Sequence, residues 1–251
     1  GSSNSAFGYN ALYNNTTANN NTAVGYRAAY ANTTGTETVA VGHQALYSQT
    51  TGRNTALGFN AGLDVSTGTY NTLIGGEAGE NITTGSYNVV FGTQAMRTTT
   101  TASYNTAVGY RAGYSNTTGT NNLALGSFAL YNNTTASSNT AVGYDTLFDN
   151  TTGANNVAIG DSALENNTTA SQSTAVGYQA GYSNTTSDKQ TFIGQQAGYN
   201  AAGGENTFVG QSSGAYVTSG RANTILGRYN GNENGLDIRT SSNNIVLSDG
   251  D

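Results

Sequence analysis

Asn105-Thr106-Ala107-Val108-Gly109-Tyr110-Arg111-Ala112-Gly113-Tyr114-Ser115-Asn116-Thr117-Thr118-Gly119-Thr120-Asn121 is one unit of 17 residues, and the chain is little else. The glycine of this unit, Gly109, recurs at Gly8, Gly25, Gly42, Gly58, Gly75, Gly92, Gly126, Gly143, Gly160, Gly177, Gly194, Gly210 and Gly227. Of the 13 intervals, eleven are 17 residues and two, Gly42 to Gly58 and Gly194 to Gly210, are 16. A period this regular and too short for a helix pair is the mark of a solenoid.

The strand is the piece that ends at the glycine. Immediately before it stand Phe7, Val24, Val41, Leu57, Ile74, Phe91, Val108, Leu125, Val142, Ile159, Val176, Ile193, Val209 and Leu226, a large apolar column without exception. Two residues earlier, on the same face of a strand, come Thr22, Val39, Thr55, Thr72, Val89, Thr106 and Leu123, which are mostly β-branched. The expectation is that this face lines the inside of the coil. Between the two lies the opposite face, with Ala23, Ala40, Ala56, Leu73, Val90, Ala107, Ala124, Phe192 and Phe208 among its members. An apolar opposite face implies cover on both sides, and the expected cover is a second copy of the chain. Seventeen residues at ~3.3 Å each make a perimeter of roughly 55 Å. Such a loop is thin, which also favours self-association.

After the glycine, aromatic residues recur at two phases. Tyr9, Tyr26, Phe59, Tyr110, Tyr144 and Tyr178 follow it directly, and Tyr13, Tyr30, Tyr47, Tyr114, Tyr131, Phe148, Tyr182 and Tyr199 stand at the fifth residue. Alanines such as Ala28, Ala45 and Ala112 lie between them. The unit closes with Asn-Thr-Thr-Gly or Asn-Thr-Thr-Ala, turn chemistry that stacking would convert into Asn and Thr ladders. Past Gly227 the period fails, and Asn244-Ile245-Val246-Leu247-Ser248 reads as a degenerate strand whose glycine has become Ser248. The chain therefore divides into a solenoid of about 14 coils over 1–230 and a cap or transition segment over 231–251. Gly1 falls at the phase of Gly35 and Gly52, which fits a native residue of a longer array as well as a cloning remnant.

Composition narrows the function. Charged residues are 9% of the chain, the net charge is −6, and no basic cluster exists to meet a nucleic acid. Cysteine is absent, so no thiol nucleophile or Cys-ligated metal is available, and no apolar run has the length of a membrane span. Proline is absent too, as a continuous ladder demands.

The phrase Asn-Thr-Ala-Val-Gly-Tyr-x-Ala resembles the head repeats of trimeric autotransporter adhesins (the YadA-like head), which carry Ser-x-Ala-Ile-Gly-x-x-Ala at a shorter period. That resemblance spans residues 5–230 and implies a trimeric parallel β-roll, left-handed in that family. The longer Asn-Thr-Thr turn departs from the family and leaves handedness and coil shape open. The ending Leu236 to Asp251, with Ser242-Asn243-Asn244-Ile245-Val246-Leu247-Ser248-Asp249-Gly250, is similar to pieces of bacteriophage tail-fibre proteins that precede an intramolecular chaperone of the endosialidase type. Both resemblances imply a surface-displayed homotrimeric fibre.

The expected fold is thus all-β, a parallel β-solenoid (β-roll or β-helix) assembled as an intertwined or side-by-side homotrimer. At ~4.8 Å per coil it would span roughly 65–70 Å. The expected role is a structural shaft of a phage tail fibre or similar extracellular or virion appendage, with a surface that also binds a cell-surface glycan or protein receptor. The alternatives are the head of a trimeric autotransporter adhesin and an ice-binding solenoid built on threonine columns such as Thr16/Thr17 and Thr117/Thr118. No catalytic residue, cofactor, nucleic-acid partner or membrane insertion is expected.

His43, the only histidine, occupies a slot that is aromatic in neighbouring coils and reads as a substituted ring. Asp145, Asp149, Asp161 and Glu165 fall on two successive coils, where a hard cation such as Ca²⁺ or a glycosidic acid pair competes with the plainer reading of a solvated acidic patch. Asp237, Asp249 and Asp251 form a second, weaker cation candidate. The Asn-x-Thr sequons at Asn15, Asn32, Asn116 and Asn133 read as by-products of the repeat. The candidate binding surface is the column Tyr13, Tyr30, Tyr47, Tyr114, Tyr131, Tyr182 and Tyr199, although aromatics at a fixed repeat phase are more often packed inside, the reading adopted here.

Overall fold

Each copy of the repeat makes one three-residue strand, and the strands pair in parallel with the same phase opposite the same phase. A computed structural model describes residues 1–248 and contains no helix among them. It is a parallel β-solenoid with about 14 coils spaced about 17 residues apart. The first compact unit, residues 1–127, holds β1 (Ser5–Phe7), β2 (Thr22–Val24), β3 (Val39–Val41), β4 (Thr55–Leu57), β5 (Thr72–Ile74), β6 (Val89–Phe91), β7 (Thr106–Val108) and β8 (Leu123–Leu125). The second begins at residue 128 and holds β9 (Thr140–Val142), β10 (Val157–Ile159), β11 (Thr174–Val176), β12 (Thr191–Ile193), β13 (Thr207–Val209), β14 (Thr224–Leu226), β15 (Asn232–Glu233), β16 (Leu236–Asp237) and β17 (Ile245–Leu247).

Register survives the irregular intervals. In both 16-residue coils the strands still match, Val39 to Thr55 and Thr191 to Thr207, so the turn absorbs the missing residue. The degenerate strand is real: β17 pairs with β14, Thr224 opposite Ile245, across a 21-residue interval. The extra residues form the antiparallel pair β15–β16. Its tight turn uses Asn234 and Gly235, both at positive φ, as two-residue hairpins require.

The assignment of faces is the reverse of the expectation. In β2, β4, β7, β9 and their neighbours the central residue is buried and the two flanking it are not. Ala23, Ala40, Ala56, Leu73, Val90, Phe192 and Phe208 are therefore inside the coil at 0% exposure. The large column of Val24, Leu57, Phe91, Leu125, Ile159 and Ile193 is outside, with Leu57 48% and Phe91 55% exposed. The thinness of the coil is the cause. Opposite each strand lies a second wall, Ala28–Ala29 in one coil and Ala45–Leu46 in the next, and all four residues are fully buried. Two walls this close leave room for alanine and one larger side chain per layer, so the bulky column turns outward. The alanines are shielded by their own coil and need no sister chain.

The interior balances size from layer to layer. Four residues after the anchor glycine come Leu46, Leu130, Leu147 and Leu164 where the central strand residue is alanine, and Gly62, Gly79, Gly198 and Gly214 where it is or adjoins a large one. A Cβ on Gly198 would lie 2.4 Å from the Phe192 ring, and one on Gly214 the same distance from Phe208. In these coils a large side chain on one wall is met by a small one on the same or an adjoining layer, as a dense core requires.

Two buried asparagine phases close the ends of the flattened coil. At the first, each asparagine accepts at Oδ1 from the backbone N–H of its counterpart one coil on. Asn71 N donates to Asn54 Oδ1 at 2.8 Å, Asn88 to Asn71 at 3.0 Å, and Asn105 to Asn88 at 3.0 Å. Its Nδ2 donates to a turn carbonyl, Asn88 to Ala102 O and Asn105 to Gly119 O. The second phase includes Asn32, Asn116, Asn133, Asn150 and Asn167, all buried. Where Thr38 replaces the first asparagine, Gln49 replaces the second and bridges the gap, donating to Thr38 Oγ1 and accepting from Asn54 Nδ2. The anticipated Asn ladder is thus present and buried. Burial also closes three of the sequons, Asn32, Asn116 and Asn133, to modification in the folded chain.

The backbone repeats an unusual conformation in every coil. Non-glycine residues adopt left-handed φ at up to three phases, such as Asn10, Leu12 and Asn20, or Asp145, Leu147 and Asn155. The anchor glycine is more extreme, with φ of 133° at Gly109, a region closed to L-residues. A Cβ there would meet the Gly126 carbonyl carbon and oxygen at 2.6 Å each. Replacing Gly109 by alanine should therefore cost at least about 1–3 kcal/mol, measured by denaturant unfolding; a loss under about 0.5 kcal/mol, the range of an ordinary surface change, would contradict it. Size balance gives a second test. Phe192→Ala should cost about 3–5 kcal/mol, and adding Gly198→Leu, the pairing used by other coils, should restore part of that loss; a double variant no more stable than Phe192→Ala refutes the compensation.

Candidate functional site

Because the interior of the coils is filled mainly by small and aliphatic side chains and asparagine, most aromatic side chains outside the strand centres are pushed to the surface, while Tyr229, whose hydroxyl donates to Leu236 O, is buried. The tyrosine column expected to pack inside lies outside instead. Tyr13 is 64% exposed, and Tyr30, Tyr47, Tyr114, Tyr131, Tyr182 and Tyr199 are half-buried. The inward space these rings were expected to fill is taken by the preceding residue, Leu46 before Tyr47 and Leu130 before Tyr131.

In-register stacking sets the rings of successive coils face to face. Tyr13 and Tyr30 have centroids 5.5 Å apart, Tyr30 and Tyr47 5.1 Å, Tyr131 and Phe148 5.0 Å, and Tyr182 and Tyr199 5.1 Å. Glu165 interrupts the column between Phe148 and Tyr182, accepting a hydrogen bond from the Tyr182 hydroxyl at 3.3 Å. A parallel ladder runs at the phase just after the glycine: Tyr9, Tyr26, His43 and Phe59, at 5.5, 5.0 and 5.3 Å. His43 is held between two rings, the place the repeat implied. Stacking has a functional consequence. A ring inside a ladder has both faces covered, so it offers a partner its edge and phenol, and a sugar can stack only on terminal rings.

Between these two ladders runs a polar file, Asn10, Arg27, Gln44 and Asn60, two residues after each glycine. The Arg27 Cζ sits 5.2 Å from the Tyr26 ring and 5.4 Å from the Tyr30 ring, a cation–π contact to both walls. The same arrangement recurs at Arg111, 5.1 Å from Tyr110 and 5.5 Å from Tyr114, with Arg111 Nε donating to Gln94 Oε1 at 2.7 Å.

A third ladder, Tyr70–Tyr87–Tyr104 at 4.9 and 5.0 Å, was not singled out from the sequence. Its members occupy a left-handed turn phase where other coils place Glu37, Arg53 or Asn121, so the signal is confined to three coils. Arg53 sits over Tyr70, 5.4 Å from the ring, and pairs with Glu37 at 3.1 Å.

Of the two threonine phases, the first spends its hydroxyls on carbonyls of the next coil and the second is mostly exposed. Thr83 Oγ1 donates to Thr100 O and Thr151 Oγ1 to Thr168 O, both at 3.0 Å, while Thr17, Thr84, Thr118 and Thr152 face out in single file.

The carboxylates are each drawn into separate hydrogen bonds. Asp149 Oδ1 accepts from Asn132 Nδ2 at 3.0 Å, Asp161 Oδ1 from Ser162 Oγ at 2.9 Å, and Asp145 bonds Tyr144. Among the described residues, no three His, Cys, Asp or Glu side chains are placed to hold a metal ion. At the C-terminal candidate, Asp237 is held by Arg239 at 2.7 Å, which lowers its pKa to about 2; Asp249 and Asp251 lie outside the described residues.

Partial burial raises the Asp145 pKa, Glu165 and Asp161 raise it further, and the Tyr144 hydrogen bond opposes them. An acid raised by folding favours the protonated fold, so its contribution is most favourable below the ordinary value of 3.8 and is lost as pH rises through the folded-state pKa. Asp145→Asn, which keeps the left-handed turn, should raise the thermal midpoint at neutral pH, and the gain should vanish near pH 3. A gain that persists unchanged at low pH, or a loss at pH 7, would overturn this account of the acidic patch. No family of known proteins, no curated protein and no solved structure matches the chain.

Proposed function

We propose that the chain is a shaft segment of a homotrimeric fibre on a virion or cell surface, the tail-fibre reading, and that its outer ladders contribute receptor contacts. The observation that carries this reading is the apolar stripe on the outer face of the strands. In the first unit Val24, Val39, Leu57, Val89, Phe91 and Leu125 are all exposed, at two phases of the same sheet face. In the second unit Ile159, Ile193 and Leu226 continue the pattern. Contiguous exposed apolar surface is what a soluble monomer avoids and an assembly interface uses. A shaft also gains from ladders with every coil in register, which resist local opening.

The trimer thus rests on the bulky column, in place of the alanines first assigned to it. The adhesin-head reading draws on the same stripe, and the outward tyrosine ladders favour it where ligand binding is spread along the coils. Ice binding is the least supported, because one exposed threonine file is not the flat double rank such a surface needs.

Multi-angle light scattering tests the assembly directly. The intact chain should have three times the protomer mass, and Phe91→Asp together with Leu57→Asp should yield folded monomers. A monomer at all concentrations for the unmutated chain sinks the proposal.

A further inference from the structure

We propose that the trough between the Tyr9–Tyr26–His43–Phe59 and Tyr13–Tyr30–Tyr47 ladders binds an acidic oligosaccharide, with Arg27 receiving its carboxylate. The inference rests on the outward ladders being a binding surface, and it stands whether or not the chain is a trimer.

Three observations lead there. First, Arg27 has no acid beside it. Among the described residues Arg53 pairs with Glu37, Arg97 with Glu77 and Glu80, and Arg239 with Asp237, while the Arg27 guanidinium is in none of these ion pairs and lies 5.2 and 5.4 Å from the Tyr26 and Tyr30 ring centroids; Arg111 repeats the ring contacts but spends its Nε on Gln94. Its Nε is buried without a hydrogen-bond partner. A half-buried guanidinium set between two ring ladders with no anion beside it retains its capacity for a forked carboxylate contact. Second, the trough is walled by ring edges and floored by amides. The tyrosine rings recur with centroids 5.1–5.5 Å apart, each carrying a phenol, and the half-buried Asn10 and Gln44 flank Arg27 in the same file. This supplies alternating donors and acceptors for a hydroxyl-rich chain lying along the stack. Third, the charge is sparse. A file with the single cation Arg27, on a chain of net charge −6, cannot hold a polymer with a phosphate at every residue. It suits a ligand with many hydroxyls and an occasional carboxylate.

The ring geometry also says how the sugar is held. With both faces of Tyr26 and Tyr30 covered by their ladder neighbours, specificity comes from hydrogen bonds and the ion pair, so removing the charge should cost most of the preference.

The test titrates the folded protein with oligogalacturonate and with sialyllactose, each beside its methyl ester, and reads binding by saturation-transfer NMR and calorimetry. At least one free acid should bind about tenfold tighter than its ester. Arg27→Gln should bring the two to parity with an unchanged unfolding midpoint, and Arg53→Gln, at the ion-paired arginine outside the trough, should leave the preference intact. Arg27→Lys keeps the charge without the planar fork and should retain part of it. Equal affinity for acid and ester, no binding of any probe, a preference untouched by Arg27→Gln, or a glutamate-rich peptide that competes as tightly as the sugars would each overturn the proposal. Light scattering on the same samples keeps this outcome separate from that of assembly.

Discussion

The structure depends on the parallel hydrogen bonds between one coil and the next. A three-residue strand has no stability alone, and no coil encloses enough apolar surface to stand by itself. Stacking supplies both. Backbone bonds such as Gly92 N to Ile74 O and Gly109 N to Phe91 O, each 2.8 Å, fix the rise and oblige every coil to copy the backbone of its neighbour. That obligation explains why residues as unsuited as Leu12, Arg53 and Tyr87 accept left-handed φ. The local cost, about 1–2 kcal/mol for each L-residue, is outweighed only because neighbours on both sides share the conformation. It also explains why the anchor position is glycine in all 14 repeats while the phases around it vary.

From the same constraint follows the allocation of side chains. Coils copied at strand spacing form a thin interior, and a thin interior selects alanine at the strand centre with leucine or glycine facing it. Bulk is then exported. The exported residues fall at fixed phases, so they form stripes: aliphatic and phenylalanine side chains over the strands, stacked tyrosines beyond the glycine, threonines along the turn. The stripe proposed for assembly and the ladders proposed for ligand binding fall on different phases of the coil.

Much of this was legible in the residues. The period located every strand of the array, Ser248 marked the last one despite the 21-residue interval, and the Asn and Thr ladders followed from turn chemistry plus stacking. What alternation cannot tell is which of two apolar faces is inside, because Val24 and Ala23 differ by phase and not by polarity. Side-chain volume against coil thickness decides it, and the size exchange between Phe192 and Gly198 was the readable clue. The tyrosines were misplaced for a related reason: aromatics at a fixed repeat phase are usually packed inside, but an interior this thin has no room for them. The Tyr70–Tyr87–Tyr104 ladder escaped notice because its phase is shared with Glu37, Arg53 and Lys189 and looks polar when read down the column.

The absence of native cysteine makes the orientation of the strands directly measurable. Single cysteines at Ala56 and Leu57, neighbours in β4, can be labelled with a thiol reagent in dilute folded protein. Ala56→Cys should remain unreactive until the chain unfolds, and Leu57→Cys should react readily before assembly. Reaction of Ala56→Cys in the folded chain at the rate of Leu57→Cys, or protection of Leu57→Cys in a proven monomer, would contradict the account.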